Sequence, residues 1–213
     1  MRLDHVSYAA EHDGVRATAE RLGAALGIRP INGGVHPTFG TRNVILPLAG
    51  CRYVEVVEVL DHPVCDKAPF GQAVRARSEQ GGGWMGWVVR VDDLAPYEAR
   101  LGRTSVDGHR VFPDGRTLNW RQLGVKGLMS DPQLPFFVQY ANIELHPSRA
   151  AEVEPQVALS AMCVAGDPDR VREWLGVALD YKAPDITFDF IAPHGQAGLL
   201  SVTFQTTNGP VTL

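Results

Sequence analysis

The chain has 213 residues, of which 45% are hydrophobic and 21% are charged, so it can bury a substantial core and has an ordinary globular composition. Its formal net charge of −4, without a cluster of basic residues, argues against a nucleic-acid partner. Three cysteines without a CxxC pair argue against a disulfide framework and a structural zinc site. The polar N-terminus and the lack of a long apolar run argue against a signal peptide and a membrane partner, so we expect a cytoplasmic protein.

The first part of the chain is predicted to contain a strand, a helix and three further strands. Alternation of apolar and polar residues predicts strands at 2–9, near 34–36, at 41–48 and at 53–60. An apolar stripe predicts a helix from Val15 to Leu26, with Asp13 as its cap and Gly27 just beyond its end.

We predict a helix from Pro69 to about 80. After the glycines at 81–83 the order of elements of the first part begins again, with a strand at 86–91, a helix at 94–101 and strands at 117–123 and 136–141. A third pass has a strand at 157–164, a helix capped by Asp167, and strands at 186–192 and 199–206. The domains are therefore predicted as a first module at 1–67, a second at 68–147 and a C-terminal extension at 148–213, which is either a separate strand-helix-strand region or a degenerate third module.

Two polar residues of the first module attract attention. Strand alternation places Glu55 on one face with Tyr53 and Val57, and a carboxylate on an apolar face needs either water or a partner. His36 lies in a turn rich in glycine and proline. These residues are the first candidates for a functional site.

Several motifs, taken in order, resemble the glyoxalase-like branch of the vicinal oxygen chelate superfamily. The motifs are LDHV at 3–6, GGVHPTFGTRN at 33–43, ILPL at 45–48, YVEVVEV at 53–59, LNWRQL at 118–123 and LPFFVQY at 134–140. The superfamily includes glyoxalase I, extradiol dioxygenases and bleomycin-resistance proteins. The resemblance implies an α+β fold in which repeated βαβββ modules form a curved mixed sheet, with a concave cavity and with helices on the outer face. It also implies a homodimer.

The resemblance implies a divalent metal as cofactor. Carried over by position, His5 falls on the metal position of the first strand and Glu55 on that of the last strand of the first module. Imidazole and carboxylate together suit Zn, Mn, Ni or Fe better than Ca. In the second module, Gly86 stands where a histidine is expected and Gln139 where a glutamate is expected. Two interpretations stay open: a metal held by His5, Glu55 and Gln139, or a protein without a metal.

The resemblance also implies a set of substrate-binding residues. His36, Asn43 and Gln139 are predicted to line the cavity. Trp120 is predicted to form a pocket wall and Arg121 to clamp an anion, because guanidinium offers a planar donor fork to carboxylates. The alternative for this last pair is a core tryptophan and a surface arginine.

Two functions are compatible with these residues. The first is a metal-assisted lyase, isomerase or dioxygenase acting on a small oxygenated molecule, with Glu55 or His36 moving a proton. The second is a non-catalytic protein that sequesters a small ligand, as bleomycin-resistance proteins do. The departures at Gly86 and Gln139 favour the second function or an altered chemistry, so whether the protein is an enzyme stays open.

Overall fold

The computed structural model describes residues 1–112, 114–151, 154–176, 185–192, 195 and 197–213. Within these residues the strands are β1 (Arg2–Ala9), β2 (Ile31–His36), β3 (Thr41–Leu48), β4 (Arg52–Val59), β5 (Gly83–Arg90), β6 (Val106–Val111), β7 (Thr117–Leu123), β8 (Phe136–Tyr140), β9 (Ala158–Ala165), β10 (Thr187–Ile191), β11 (Gly198–Thr206) and β12 (Gly209–Thr212). The α-helices are α1 (Val15–Leu26), α2 (Pro69–Glu79), α3 (Ala95–Leu101), α4 (Gly127–Ser130) and α5 (Pro168–Leu175). Short 3-10 helices lie at Pro63–Asp66, Ile143–Leu145 and Pro147–Ala150.

Strands β1 to β8 form a closed barrel in the order β1-β4-β3-β2-β6-β7-β8-β5. In each half the first strand runs parallel to the last, β1 to β4 and β5 to β8. Antiparallel pairing of β1 with β5 joins the halves on one side, and the pair Val35 and Val111 joins them on the other. The predicted α+β class, with repeated βαβββ units in a curved mixed sheet, is confirmed. The division at residues 67 and 147 stays a prediction.

Helix α1 covers the outer face of the first half of the barrel. Its stripe of Val15, Ala19, Leu22 and Leu26 is buried in one cluster with residues of β3 and β4. Gly27 ends the helix with a left-handed φ of 69°, as predicted. The predicted cap is wrong, because Asp13 accepts hydrogen bonds from Arg21 while the N-cap residue is a glycine. No helix in the described part of the chain has the length and apolarity needed to span a membrane.

Helix α2 packs on the inner side of the sheet. Phe70, Ala73 and Val74 of this helix are buried in a second cluster with inward-facing residues of four strands, among them Val57 and Phe136. This packing fills the part of the barrel interior that the polar residues described below do not occupy.

The C-terminal sheet, in the order β10-β9-β11-β12, covers the outer face of β5 and β8. The ring of Trp84 stacks on Phe204, and the ring of Phe137 packs against Trp174. Asp167 caps α5 by accepting a hydrogen bond from the Asp169 N–H, as predicted. The strand order differs from that of the two barrel halves, since β9 pairs with β10 and β11 rather than with the last strand.

Two strands lie where no strand is predicted. The segment of β6 alternates poorly and contains Gly108, whose Cα faces the indole of Trp120 on β7. The segment of β12 is only four residues long and follows a turn. Both strands form because a neighbouring strand supplies hydrogen bonds, which local sequence patterns do not report.

Candidate functional site

The barrel encloses a cavity of about 40 Å³. The polar side chains that line it include His5, His36, Asn43, Glu55, Arg110 and Gln122. Its apolar walls include Phe39, Phe70, Leu118, Trp120, Phe136 and Val138. Strands β1, β4 and β3 are neighbours, so their inward-facing residues bring imidazole, carboxylate and amide groups together on one side.

Glu55 is buried at the centre of this polar side. Its register opposite Ser7 on β1 lets the serine Oγ donate to Oε2 over 3.1 Å. From β3, the amide Nδ2 of Asn43 donates to Oε1 over 2.8 Å. The carboxylate is only 5% exposed, so these two donors replace the water that burial removes. Glu55 and Asn43 both line the cavity, and their assignment as site residues stays a prediction.

His5 is oriented by the residue before it. Its Nδ1 lies 2.9 Å from Asp4 Oδ2, while its Nε2 lies 3.8 Å from Glu55 Oε2. Since the Asp4 carboxylate can only accept, the hydrogen-bond network assigns the proton to Nδ1. The ring stacks on Tyr53 with centroids 4.4 Å apart. The imidazole therefore presents Nε2 to the cavity in one fixed orientation.

Asp4 is a buried carboxylate with several hydrogen-bond partners, and the sequence analysis did not single it out. Its carboxylate accepts hydrogen bonds from the Tyr140 hydroxyl over 2.9 Å and from His146 Nε2 over 3.1 Å, and Arg90 Nη1 lies 3.3 Å away. Burial alone would raise the pKa of Asp4, but the hydrogen bonds from His146 and His5 lower it well below its usual value. The side chain is therefore ionised and fixes His5 in place.

His36 contributes a neutral imidazole to the cavity. Its Nδ1 lies 3.0 Å from Thr41 Oγ1, and its ring meets Trp120 edge to face. Burial lowers the pKa of His36 to about 4, despite the opposing charge of Glu55. Near neutral pH this ring acts as a hydrogen-bonding group, and its low pKa makes it a weak base.

Arg110 of β6 is the second residue that sequence reasoning missed. It is 2% exposed, lines the cavity, and its Nε has no hydrogen-bond partner among the described residues. The guanidinium carbon lies 4.3 Å from the centroid of the Phe112 ring, and no carboxylate in the described part of the chain forms an ion pair with it. Burial lowers the pKa of Arg110, whereas Tyr53, Tyr140 and Glu55 oppose that shift.

A family model described as a glyoxalase-like domain matches residues 3–179, which is most of the chain. The chain belongs to the glyoxalase-like domain family. This membership confirms the resemblance to the vicinal oxygen chelate superfamily that the motifs indicate. No curated protein sequence matches the chain significantly.

Two solved structures are similar to this glyoxalase-like domain. A hypothetical protein from Staphylococcus aureus is 13% identical with a TM-score of 0.64, over 99% of this chain and 84% of that one. Methylmalonyl-CoA epimerase from Mycobacterium tuberculosis is 17% identical with a TM-score of 0.43, over 65% of this chain and 86% of that one. At 13% identity the likeness to the Staphylococcus aureus protein concerns the fold alone.

Two predicted site residues of the glyoxalase-like domain lie outside the cavity, which corrects the prediction that they line it. Gln139 is out of phase with the inward-facing Val138 and Tyr140, and its Oε1 accepts a hydrogen bond from the Leu94 N–H over 3.0 Å. Arg121 is exposed and pairs with Glu98 over 3.0 Å. Alternation within a strand sends both side chains outward.

The side chains present do not fit a Zn, Mn, Ni or Fe site. Such sites require about three protein ligands. Within the described residues, no group of three or more His, Cys, Asp or Glu side chains is placed to hold a metal ion. Of the predicted donors His5, Glu55 and Gln139, the first two face each other, and Gln139 points away from them.

At Gly86 of β5 and Phe136 of β8, the second half of the barrel presents hydrocarbon instead of metal ligands. A Cβ on Gly86 would lie 2.5 Å from Leu128 Cδ2, so this position is covered by a leucine. Phe136 pairs with Val88 on β5 as Glu55 pairs with Ser7 on β1, and Phe136 lines the cavity. The site is therefore polar along β1, β3 and β4 and apolar at these two positions, while Arg110 of β6 and Gln122 of β7 add further polar groups.

Proposed function

We propose that this glyoxalase-like domain binds a small oxygenated molecule in its barrel cavity, with Glu55 as the central polar contact. The observation that carries the proposal is the convergence of Glu55, His5 and Asn43 from three strands onto one buried cavity with an apolar opposite wall. A concave, mostly apolar site with a few convergent polar groups is typical of small-molecule sites.

The size of the cavity supports a small ligand. A volume of about 40 Å³ holds about three water molecules. A larger molecule requires movement of the aromatic wall, where Trp120 is half-buried and held by a hydrogen bond to Gln122. We therefore place the ligand among molecules with few non-hydrogen atoms.

Glu55 supplies the chemistry that a catalytic version of this site would use. Its carboxylate accepts from Ser7 and Asn43 and lies beside His5 Nε2, so a ligand C–H or O–H placed against it can transfer a proton. His36 adds a neutral ring, which can hydrogen-bond to a ligand oxygen. No step requires a metal held by these side chains.

A binding screen tests the proposal. We would measure thermal shifts and ligand-observed NMR for short alcohols, aldehydes, amides and hydroxy acids against the wild type. Val138→Phe and Leu118→Phe each fill the cavity, and Val106→Phe, at an exposed position of β6, is the matched control. We expect both cavity-filling variants to lose binding and the control to keep it. Binding that survives in both filled variants, or no binding in any class, overturns the proposal.

The alternative is a non-catalytic protein that sequesters its ligand. The leucine that covers Gly86 and the phenyl ring of Phe136, on the first and last strands of the second half, favour this alternative. Glu55→Gln separates the two functions, since the shape is kept and the proton acceptor is removed. If the protein is an enzyme, turnover of a bound ligand falls about 10²–10⁴-fold while the ligand still binds. If it is not, the wild type leaves the ligand chemically unchanged.

A further inference from the structure

A buried guanidinium without a counter-ion faces the cavity. Among the described residues, Arg110 is 2% exposed, its Nε has no hydrogen-bond partner, and no carboxylate lies in ion-pair range of it. A buried charge without a partner lowers the stability of the folded protein. Such a group is therefore expected where a bound ligand supplies the missing opposite charge.

Other features do not account for this charge. The Phe112 ring contacts the guanidinium at 4.3 Å, but a cation–π contact neutralises no charge and offsets only part of the cost of burial. The cavity carboxylate, Glu55, is already engaged by Ser7 and Asn43. Arg52, another buried arginine of the barrel, also has an unpartnered Nε among the described residues, but its two other nitrogens bind the counter-ion Asp185 over 2.6 and 3.1 Å.

We infer that Arg110 is the anion-binding residue of the cavity and that the ligand is a short-chain monocarboxylic acid carrying a hydroxyl group. This inference rests on the proposed function and names its ligand class. The carboxylate of the ligand binds the guanidinium fork, which matches a carboxylate in two parallel hydrogen bonds. The hydroxyl donates to Glu55, and the short hydrocarbon part contacts Leu118, Phe136 and Val138.

Charge and volume favour a monocarboxylate over phosphate. Arg110 is the cation of the cavity, while Glu55 adds a negative charge that repels a dianion. The cavity of about 40 Å³ leaves little room beyond a carboxylate and one or two carbons. Arg121, the predicted anion clamp, is exposed to solvent and its guanidinium is already paired with Glu98. It is therefore not available to bind an anion in the cavity.

Calorimetric titration with defined probes tests the inference. The probes are glycolate, acetate, the neutral analogue glycolamide, inorganic phosphate and chloride. We expect the wild type to bind glycolate at least 10-fold more tightly than glycolamide and more tightly than phosphate or chloride. In Arg110→Met, the affinity for glycolate falls at least 10-fold and that for glycolamide changes less than 2-fold. Arg121→Met is the matched control and binds glycolate like the wild type.

Melting temperatures measured with and without glycolate distinguish a loss of binding from a loss of folding. Without ligand, Arg110→Met melts at or above the wild-type temperature, because the uncompensated charge is gone, and glycolate no longer raises that temperature. If Arg110→Met does not fold, Arg110→Lys serves instead, and its glycolate affinity falls because the planar fork is lost.

Three outcomes overturn the inference: equal binding of glycolate and glycolamide by the wild type, preference for phosphate or chloride, and unchanged glycolate binding in both Arg110 variants. If glycolamide binds as well as glycolate in the cavity, the proposed small-molecule function stands and only the anion assignment fails. If no probe and no compound of the wider screen binds, both fail.

Discussion

The imidazole of His5 and the carboxylate of Glu55 face each other inside the barrel, with Nε2 and Oε2 3.8 Å apart. Hydrogen bonds fix each group: Asp4 bonds to the imidazole, and Ser7 and Asn43 donate to the carboxylate. A fixed acceptor beside a fixed imidazole makes this pair the polar centre of the cavity.

Asn43→Ala is expected to destabilise the protein. The substitution removes the donor to Glu55 Oε1 and leaves a buried carboxylate oxygen without it. The free energy of unfolding should fall by about 1–2 kcal/mol, since the unpartnered Asn43 Oδ1 is removed at the same time. Urea denaturation measures the change. Asn119→Ala, at an exposed position of β7, is the control, and an equal loss in both variants would contradict the role given to Asn43.

The low pKa of His36 predicts a loss of stability in mild acid. The unfolded chain takes up a proton near pH 6.5, whereas the folded protein does so only near pH 4. The free energy of unfolding therefore falls as the pH drops between these values, by roughly 3 kcal/mol in total.

His36→Asn keeps a polar group near Thr41 and removes this titration. Denaturation curves between pH 4 and 7.5 should show a smaller fall in stability for this variant than for the wild type. His12→Asn, at an exposed position, is the control and should follow the wild type. A His36→Asn profile parallel to that of the wild type would show that the ring titrates normally.

Gly34 is expected to be essential for the closure of the barrel. It has a φ of 125°, and a Cβ there would lie 2.2 Å from the Val111 carbonyl oxygen, where β2 meets β6. Gly81→Ala is a matched control, since Gly81 also has a positive φ of 99° but no atom within 4 Å of such a Cβ. We expect Gly34→Ala to cost about 2 kcal/mol more than Gly81→Ala in denaturation experiments. An equal loss of unfolding free energy in the two variants would mean that the junction of β2 and β6 tolerates the added methyl group.

The ion pair between Arg52 and Asp185 should stabilise the docking of the C-terminal region. Arg52 is buried and Asp185 is largely exposed, so Asp185→Ala leaves a buried charge unpaired. We expect a loss of about 1–2 kcal/mol in the free energy of unfolding. Asp189→Ala, at an exposed position of β10, should change it by less than about 0.5 kcal/mol. Similar values for the two variants would show that the pair contributes nothing.

The donor geometry predicts how metal ions behave. After addition of Zn, Mn, Ni or Fe, we expect plasma mass spectrometry of dialysed protein to find no stoichiometric metal that depends on His5 and Glu55. His5→Ala and Glu55→Gln should therefore have the metal content of the wild type. Near-stoichiometric metal that disappears in both variants would restore the metal interpretation.

Local patterns predicted most of the elements correctly. The bounds of α1, β3 and β7 agree with the predictions because each segment has a complete period and a clear stop, such as Gly27 after α1. The strand β6 was missed because Gly108 interrupts its pattern and because its partners come from two other segments of the chain. Arg110 was missed with it.

The sequence by itself indicated the family, the order of most elements and the grouping of Tyr53, Glu55 and Val57 on one strand face, because alternation and motif spacing are local properties. Only the tertiary structure decided that Gln139 points outward, that Asp4 orients His5, and that Arg110 is buried without a counter-ion. Alternation says which residues share a face, but it does not say which face turns inward. Strand register and barrel closure decide that, and they depend on hydrogen bonds between segments far apart in the chain.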